Sequence, residues 1–123
     1  MKQFNTAIEL EDYCDSSNET TTLFARGLLT KSAAKEVKIL MASLLDNESR
    51  IVGLDMSELD NLDLWGASQL VKTIRRIQAR GHEFNIWCDN LKVRHLLELL
   101  RIDELVPVLN TDNQTIAIES LVA

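Results

Sequence analysis

The chain has 123 residues, and its 46% hydrophobic content is enough for one ordinary core without a disulfide or metal staple. A charged fraction of 26% argues against disorder, and thirteen Lys and Arg against nineteen Asp and Glu leave a net charge of −6. So acidic a chain is a poor general binder of nucleic acid or anionic membranes, which both demand positive charge, although a local basic patch stays open.

Residues 4–13 carry Phe4, Ala7, Ile8, Leu10 and Tyr13 in imperfect alternation, which predicts an edge strand. A turn cluster, Asp15-Ser16-Ser17-Asn18, separates it from the β-branched run 20–26, and the two segments should form an antiparallel hairpin. Gly27 is expected to end the second strand. Thr30 or Ser32 then caps a helix over about 31–45, whose Ala33, Val37, Leu40, Met41, Leu44 and Leu45 fall on one side. Ile51-Val52-Gly53-Leu54-Asp55 reads as a central buried strand, and residues 56–63 as a polar loop. Asp63 is placed to cap a helix over about 64–80, with Gly81 in the left-handed position after it. A strand over 83–88, a helix over 91–100 capped by Asp89 or Asn90, and a short turn over 101–105 stopped by Pro107 follow. A brief strand at 108–109 and a last helix from Asp112 close the chain. Strands alternating with helices imply an α/β fold, with a mixed and mainly parallel sheet, in a single domain over 1–123.

The pattern is poor in catalytic signals. The chain contains no glycine-rich phosphate loop, no GxSxG and no HExxH. Cys14 and Cys88 lack metal-ligand spacing and are read as reduced thiols; only His82 and His95 could join them, so no metal site and no cofactor are expected. Asp60 and Asp63 form a carboxylate pair, but an Asp-rich loop more often caps and turns than catalyses. No catalytic residue is assigned. No apolar stretch approaches the roughly 20 residues that span a bilayer, and the first residues lead into acidic ones, so a soluble, cytoplasmic chain without membrane insertion is expected.

From residue 51 the order is a strand ending in Asp55-Met56-Ser57, then Leu62-Asp63-Leu64-Trp65-Gly66 opening a long helix that closes on Arg80-Gly81. A strand, a leucine-rich helix and Leu100-Arg101-Ile102-Asp103-Glu104-Leu105-Val106-Pro107 follow. Together with Gly27-Leu28-Leu29-Thr30, this closely resembles the STAS domain of bacterial anti-sigma factor antagonists, over roughly residues 22–121. The resemblance implies a small mixed sheet with about four helices packed mostly on one face. It also implies a non-enzymatic switch in transcription regulation, an anti-anti-sigma factor working by partner switching. The implied partner is an anti-sigma factor or related kinase-fold ATPase protein, and direct nucleic-acid contact is not implied. The family phosphorylates a hydroxyl residue in its Asp-Ser-Ser/Thr-Gly loop, and the added charge breaks the partner contact. Stand-alone STAS domains also serve membrane lipid or solute transport complexes, which is the alternative reading.

At that loop this sequence departs from the family. Asp63 and Gly66 match, but Leu64 and Trp65 stand where the hydroxyl residues belong, and neither can accept a phosphoryl group. The resemblance therefore carries over the fold and partner binding, not phosphorylation at the usual place; Ser57 and Ser68 are the remaining candidates for modification. Asp63 has a capping role and a contact role open to it. Gly66 is expected to permit a close approach of a neighbouring backbone. Trp65 is either an interface anchor or folded back onto the sheet edge. Ala67, Leu70, Val71, Ile74 and Ile77 share one face of the helix, while Lys72, Arg75, Arg76 and Arg80 lie on the opposite one at about 100° per residue. A single-sign run is ordinarily a solvated face; beside the expected docking loop of an acidic protein it also suits electrostatic steering. The candidate partner-binding residues are Asp63, Leu64, Trp65, Gly66, Lys72, Arg75 and Arg76, and weak dimerisation is left open.

Overall fold

The structure is a computed structural model, and it describes residues 13–14 and 20–110. Strand β1 (Tyr13–Cys14) pairs antiparallel with β2 (Thr20–Leu29), matching Tyr13 to Thr22 and Cys14 to Thr21. A 3-10 turn (Lys31–Ala33) leads into α1 (Ala34–Leu45), followed by β3 (Ile51–Leu62), α2 (Leu64–Ala79), β4 (Glu83–Trp87) and α3 (Leu91–Leu99). A second 3-10 turn (Ile102–Glu104) precedes β5 (Val108–Leu109). Strands β2 to β5 are parallel, and the sheet order is β1-β2-β3-β4-β5. Three crossovers step across the sheet in one direction, so right-handed connections put α1, α2 and α3 on the same face. The expected hairpin is present at residues 13–14; the rest of its first strand, and the helix expected from Asp112, lie outside the described residues. The described part holds three α-helices where about four were expected in all.

The core lies between that helical layer and the sheet. Leu23, Ala25 and Leu29 from β2, Val52, Leu54 and Met56 from β3, and Phe84 and Ile86 from β4 are buried. Val37, Leu40 and Leu44 of α1 and Leu70, Ile74 and Ile77 of α2 close over them. Thr73 is buried among these and spends its hydroxyl on the Gln69 carbonyl (2.9 Å), which removes the cost of burying it. Gly81, with φ 89°, ends α2 in paired bonds from Gly81 N to Gln78 O (2.9 Å) and from His82 N to Ile77 O (3.2 Å). His82 is half-buried, and its Nδ1 donates to Ser49 O (2.6 Å). Asn90, not Asp89, caps α3 by accepting from Val93 N (3.2 Å).

Three expectations need correcting. Gly27 does not end β2: the strand runs on to Leu29, with Gly27 at φ 93°, a conformation open to glycine within a strand. Residues 56–62 are not a loop but the second half of β3. Twelve residues of β3 face ten of β2, and the register slips between Phe24 and Arg26 and again between Gly27 and Leu28. Each slip places an extra residue in β3, a β-bulge. Neither Thr30 nor Ser32 caps α1 through its side chain; the two hydroxyls bond each other (2.7 Å), and the helix starts as the 3-10 turn.

Candidate functional site

Parallel strands deliver their C-terminal ends to one side of the sheet, where the helices begin. There Asp63 is extended, with φ −111° and ψ 178°, as a helix-capping residue must be. Its Oδ1 accepts from Gly66 N (2.7 Å), and its Oδ2 accepts from Lys31 N (3.0 Å) in the turn after β2. Its own amide donates to Leu29 O (3.3 Å). The same Leu29 carbonyl oxygen would lie 1.9 Å from a Cβ added at Gly66. Asp63 and Gly66 thus form a clamp that binds the start of α2 to the exit of β2. The carboxylate satisfies amides from two segments, and the glycine leaves room for a backbone oxygen.

The two residues between the clamp points differ. Leu64 is 74% exposed. Trp65 is half-buried and packs against the core, which leaves part of the side chain at the surface. Further along α2, Ser68, Lys72, Arg75 and Arg76 are exposed, and so is Arg80 at its C-terminal cap, as the helical spacing requires. Two grooves flank this helix. One, of about 300 Å³, runs toward the turn after α3 and is lined by Leu64, Ala67, Ser68, Val71, Leu100 and Ile102, with Lys72 at its edge. The other, of about 350 Å³, lies against α1, where Lys38, Met41 and Leu45 face Gln69, Lys72 and Arg76. Lys72 borders both. Lys38 and the apolar α1 residues escaped sequence reasoning because they lie thirty residues away; the scarcity of acids in α1 was the available signal.

Ser57 belongs elsewhere. Its amide donates to Asp55 Oδ1 (2.9 Å), and its hydroxyl accepts from Asp89 N (2.9 Å), stapling β3 to the loop after β4. Around it Phe24, Arg26, Asp55, Glu58 and Asp89 line a separate cleft of about 240 Å³, with Arg26 Nε donating to Glu58 Oε1 (2.6 Å). Cys88 is buried, and burial pushes its thiol above the ordinary range, which favours the protonated form. Among the described residues no three His, Cys, Asp or Glu are grouped to hold a metal ion, and no helix is long and apolar enough to cross a membrane. The arrangement at α2 offers an exposed leucine, a partly presented tryptophan and a row of cations on a rigid helix, which suits contact with another protein.

The family model described as the STAS domain matches residues 14–114. No curated protein matches the sequence. Among solved structures, the fold is similar to an anti-sigma factor antagonist from Mycobacterium paratuberculosis, with TM-score 0.75 and 14% identity over 93% of this chain and 96% of that one. It is also similar to a candidate anti-sigma factor antagonist from Thermotoga maritima, with TM-score 0.71 and 18% identity over 88% and 92% of the two chains. The phosphorylated form of the Bacillus cell fate determinant SpoIIAA aligns with TM-score 0.59 and 12% identity, over 91% of this chain and 99% of that one. At such identities the likeness is one of fold.

Proposed function

The chain belongs to the STAS domain family, and from that premise we propose that it is a non-enzymatic binding module of a partner-switching pathway. Its partner in this reading is an anti-sigma factor or a related protein of the kinase-fold ATPase class. The partner docks on the start and exposed face of α2, touching Leu64 and Trp65 and then Lys72, Arg75 and Arg76. The supporting observation is the exposure of Leu64, at 74%, between two residues that the clamp holds rigid. A large apolar side chain at a preorganised helix start loses little entropy on docking and gains by leaving water.

The same positions argue for a switch without phosphate at the usual place. Leu64 and Trp65 have no hydroxyl to receive one. Ser57 uses its hydroxyl oxygen in the staple to Asp89, whereas Ser68 is exposed in α2 and is the serine there that a kinase would reach.

The test is pairwise titration of the purified chain against kinase-fold proteins from its own genome, followed by mass spectrometry after incubation with ATP. Saturable binding that Leu64→Asp abolishes, with residues 63–66 unmodified, is the expected result. Binding unaffected by Leu64→Asp would move the docking surface off this helix. Phosphate on Ser68 that releases the partner would mean the switch has shifted by one helical turn.

A further inference from the structure

Charge is divided very unevenly over this fold. Residues 31–45 and 64–80, which contain α1 and α2, hold seven of the thirteen Lys and Arg and one of the nineteen Asp and Glu, Glu36. That is a formal +6 on these two segments and −12 on the rest of the sequence. All seven cations are exposed. Other cations of the described residues are engaged: Arg26 pairs with Glu58, Arg50 with Glu83 and Arg101 with Glu104. Arg94 donates to the carbonyls of Cys88 (3.2 Å) and Val108 (3.1 Å). Of the α1 and α2 cations, Arg80 is tied to Leu45 O (2.6 Å), while Lys38, Lys72 and Arg76 border the groove between the helices.

We propose that this groove seats an acidic amphipathic helix of the protein partner. The inference rests on the partner-binding reading above and deepens it by adding α1 to the surface and stating the chemistry of what docks. Lys72 and Arg76 are one turn apart, so their charged ends match carboxylates at i and i+4 of a helix lying along them. Lys38 stands on the opposite wall and takes a carboxylate from the other flank. Met41, Ala42 and Leu45 supply an apolar floor for the leucine or isoleucine between those carboxylates. The groove is concave and cationic on two walls, which fits a rod with acidic flanks better than a plane. A membrane surface or a nucleic-acid duplex extends past the two helices and meets the repulsion of the net −6 that the other described residues carry, whereas a single helix stays inside the positive field.

The experiment uses the full chain, isotope-labelled, and a capped alanine-rich peptide of about 20 residues, long enough to hold helix on its own. The peptide carries Glu at i and i+4 on both sides of a leucine stripe; a second peptide replaces each Glu by Gln. The expected result is binding about tenfold tighter for the Glu peptide, with amide shifts concentrated on residues 38–45 and 69–76. Lys38→Glu should weaken it about tenfold with no change in melting temperature. Equal affinity for the two peptides, shifts centred elsewhere, or tighter binding to phosphatidylserine vesicles or to a DNA duplex would overturn the proposal. With a true partner in hand the two readings separate. If Leu64→Asp abolishes its binding and Lys38→Glu does not alter it, the groove proposal falls while the partner-binding reading stands. If Lys38→Glu weakens it and Leu64→Asp does not, the groove holds and the loop contact is lost.

Discussion

The first turn of α2 and the basic stretch that follows it belong to one helix but meet their surroundings in opposite ways. At the first turn, Asp63 accepts two backbone amides and Gly66 lies against the Leu29 carbonyl, so both motif residues are consumed in holding the β2 exit and the helix together. From Lys72 to Arg76 the cations are exposed, and their side chains make no hydrogen bond or ion pair among the described residues. The residues by which such a loop is recognised are therefore its scaffold. What the scaffold leaves at the surface is Leu64, part of Trp65 and the cations beyond, and in the proposed reading these are what a partner meets.

The sharpest way to break this contrast is Gly66→Ala. The new methyl has no space before a backbone oxygen, so a loss of about 3 kcal/mol is expected, measured by urea unfolding. An unchanged midpoint would mean that the helix start is not held against β2. Trp65→Ala comes next and divides between the two regions: about 2 kcal/mol lost in partner affinity against about 1 kcal/mol in stability, because only part of the ring packs on the core. The reverse ratio would make Trp65 a core residue and place the docking surface elsewhere. Asp63→Ala removes a cap and a link to Lys31 and should cost about 1–2 kcal/mol of stability, and Asp63→Asn less, since an amide oxygen still accepts. Equal losses for the two would assign the effect to the charge at the helix end and not to the cap. The smallest stability effect belongs to Arg76→Glu, within about 0.5 kcal/mol, while the association rate with the partner falls and loses part of its salt dependence. An unaltered rate would return the basic stretch to plain solvated surface.

Much of this was legible along the chain. The order of strands and helices follows from periodicity, the α2 boundaries from Asp63 and Gly81, and the α3 start from Asp89 or Asn90, between which the structure chose Asn90. The expected close approach at Gly66 proved to be with Leu29 O, an identity no local pattern contains. The second half of β3 was misread for a definable reason. Its buried residues are Met56, Leu59 and Leu62, spaced by three because of the bulges, so the alternation that marks a strand disappears. Its partner β2 keeps strict alternation to Leu29, but Gly27 hid that continuation.

Features whose cause is local could be read along the chain: hydrophobic period, the caps of α2 and α3, a stop signal, and the missing hydroxyls at Leu64 and Trp65. Tertiary structure decided everything that depends on which segments become neighbours. The clamp joins Asp63 to Lys31, the staple joins Ser57 to Asp89, and the cationic groove joins Lys38 to Arg76. In each case more than thirty residues separate the partners. Period and capping act over one or two turns of chain, whereas these contacts arise only when right-handed crossovers bring strand ends and helix faces side by side.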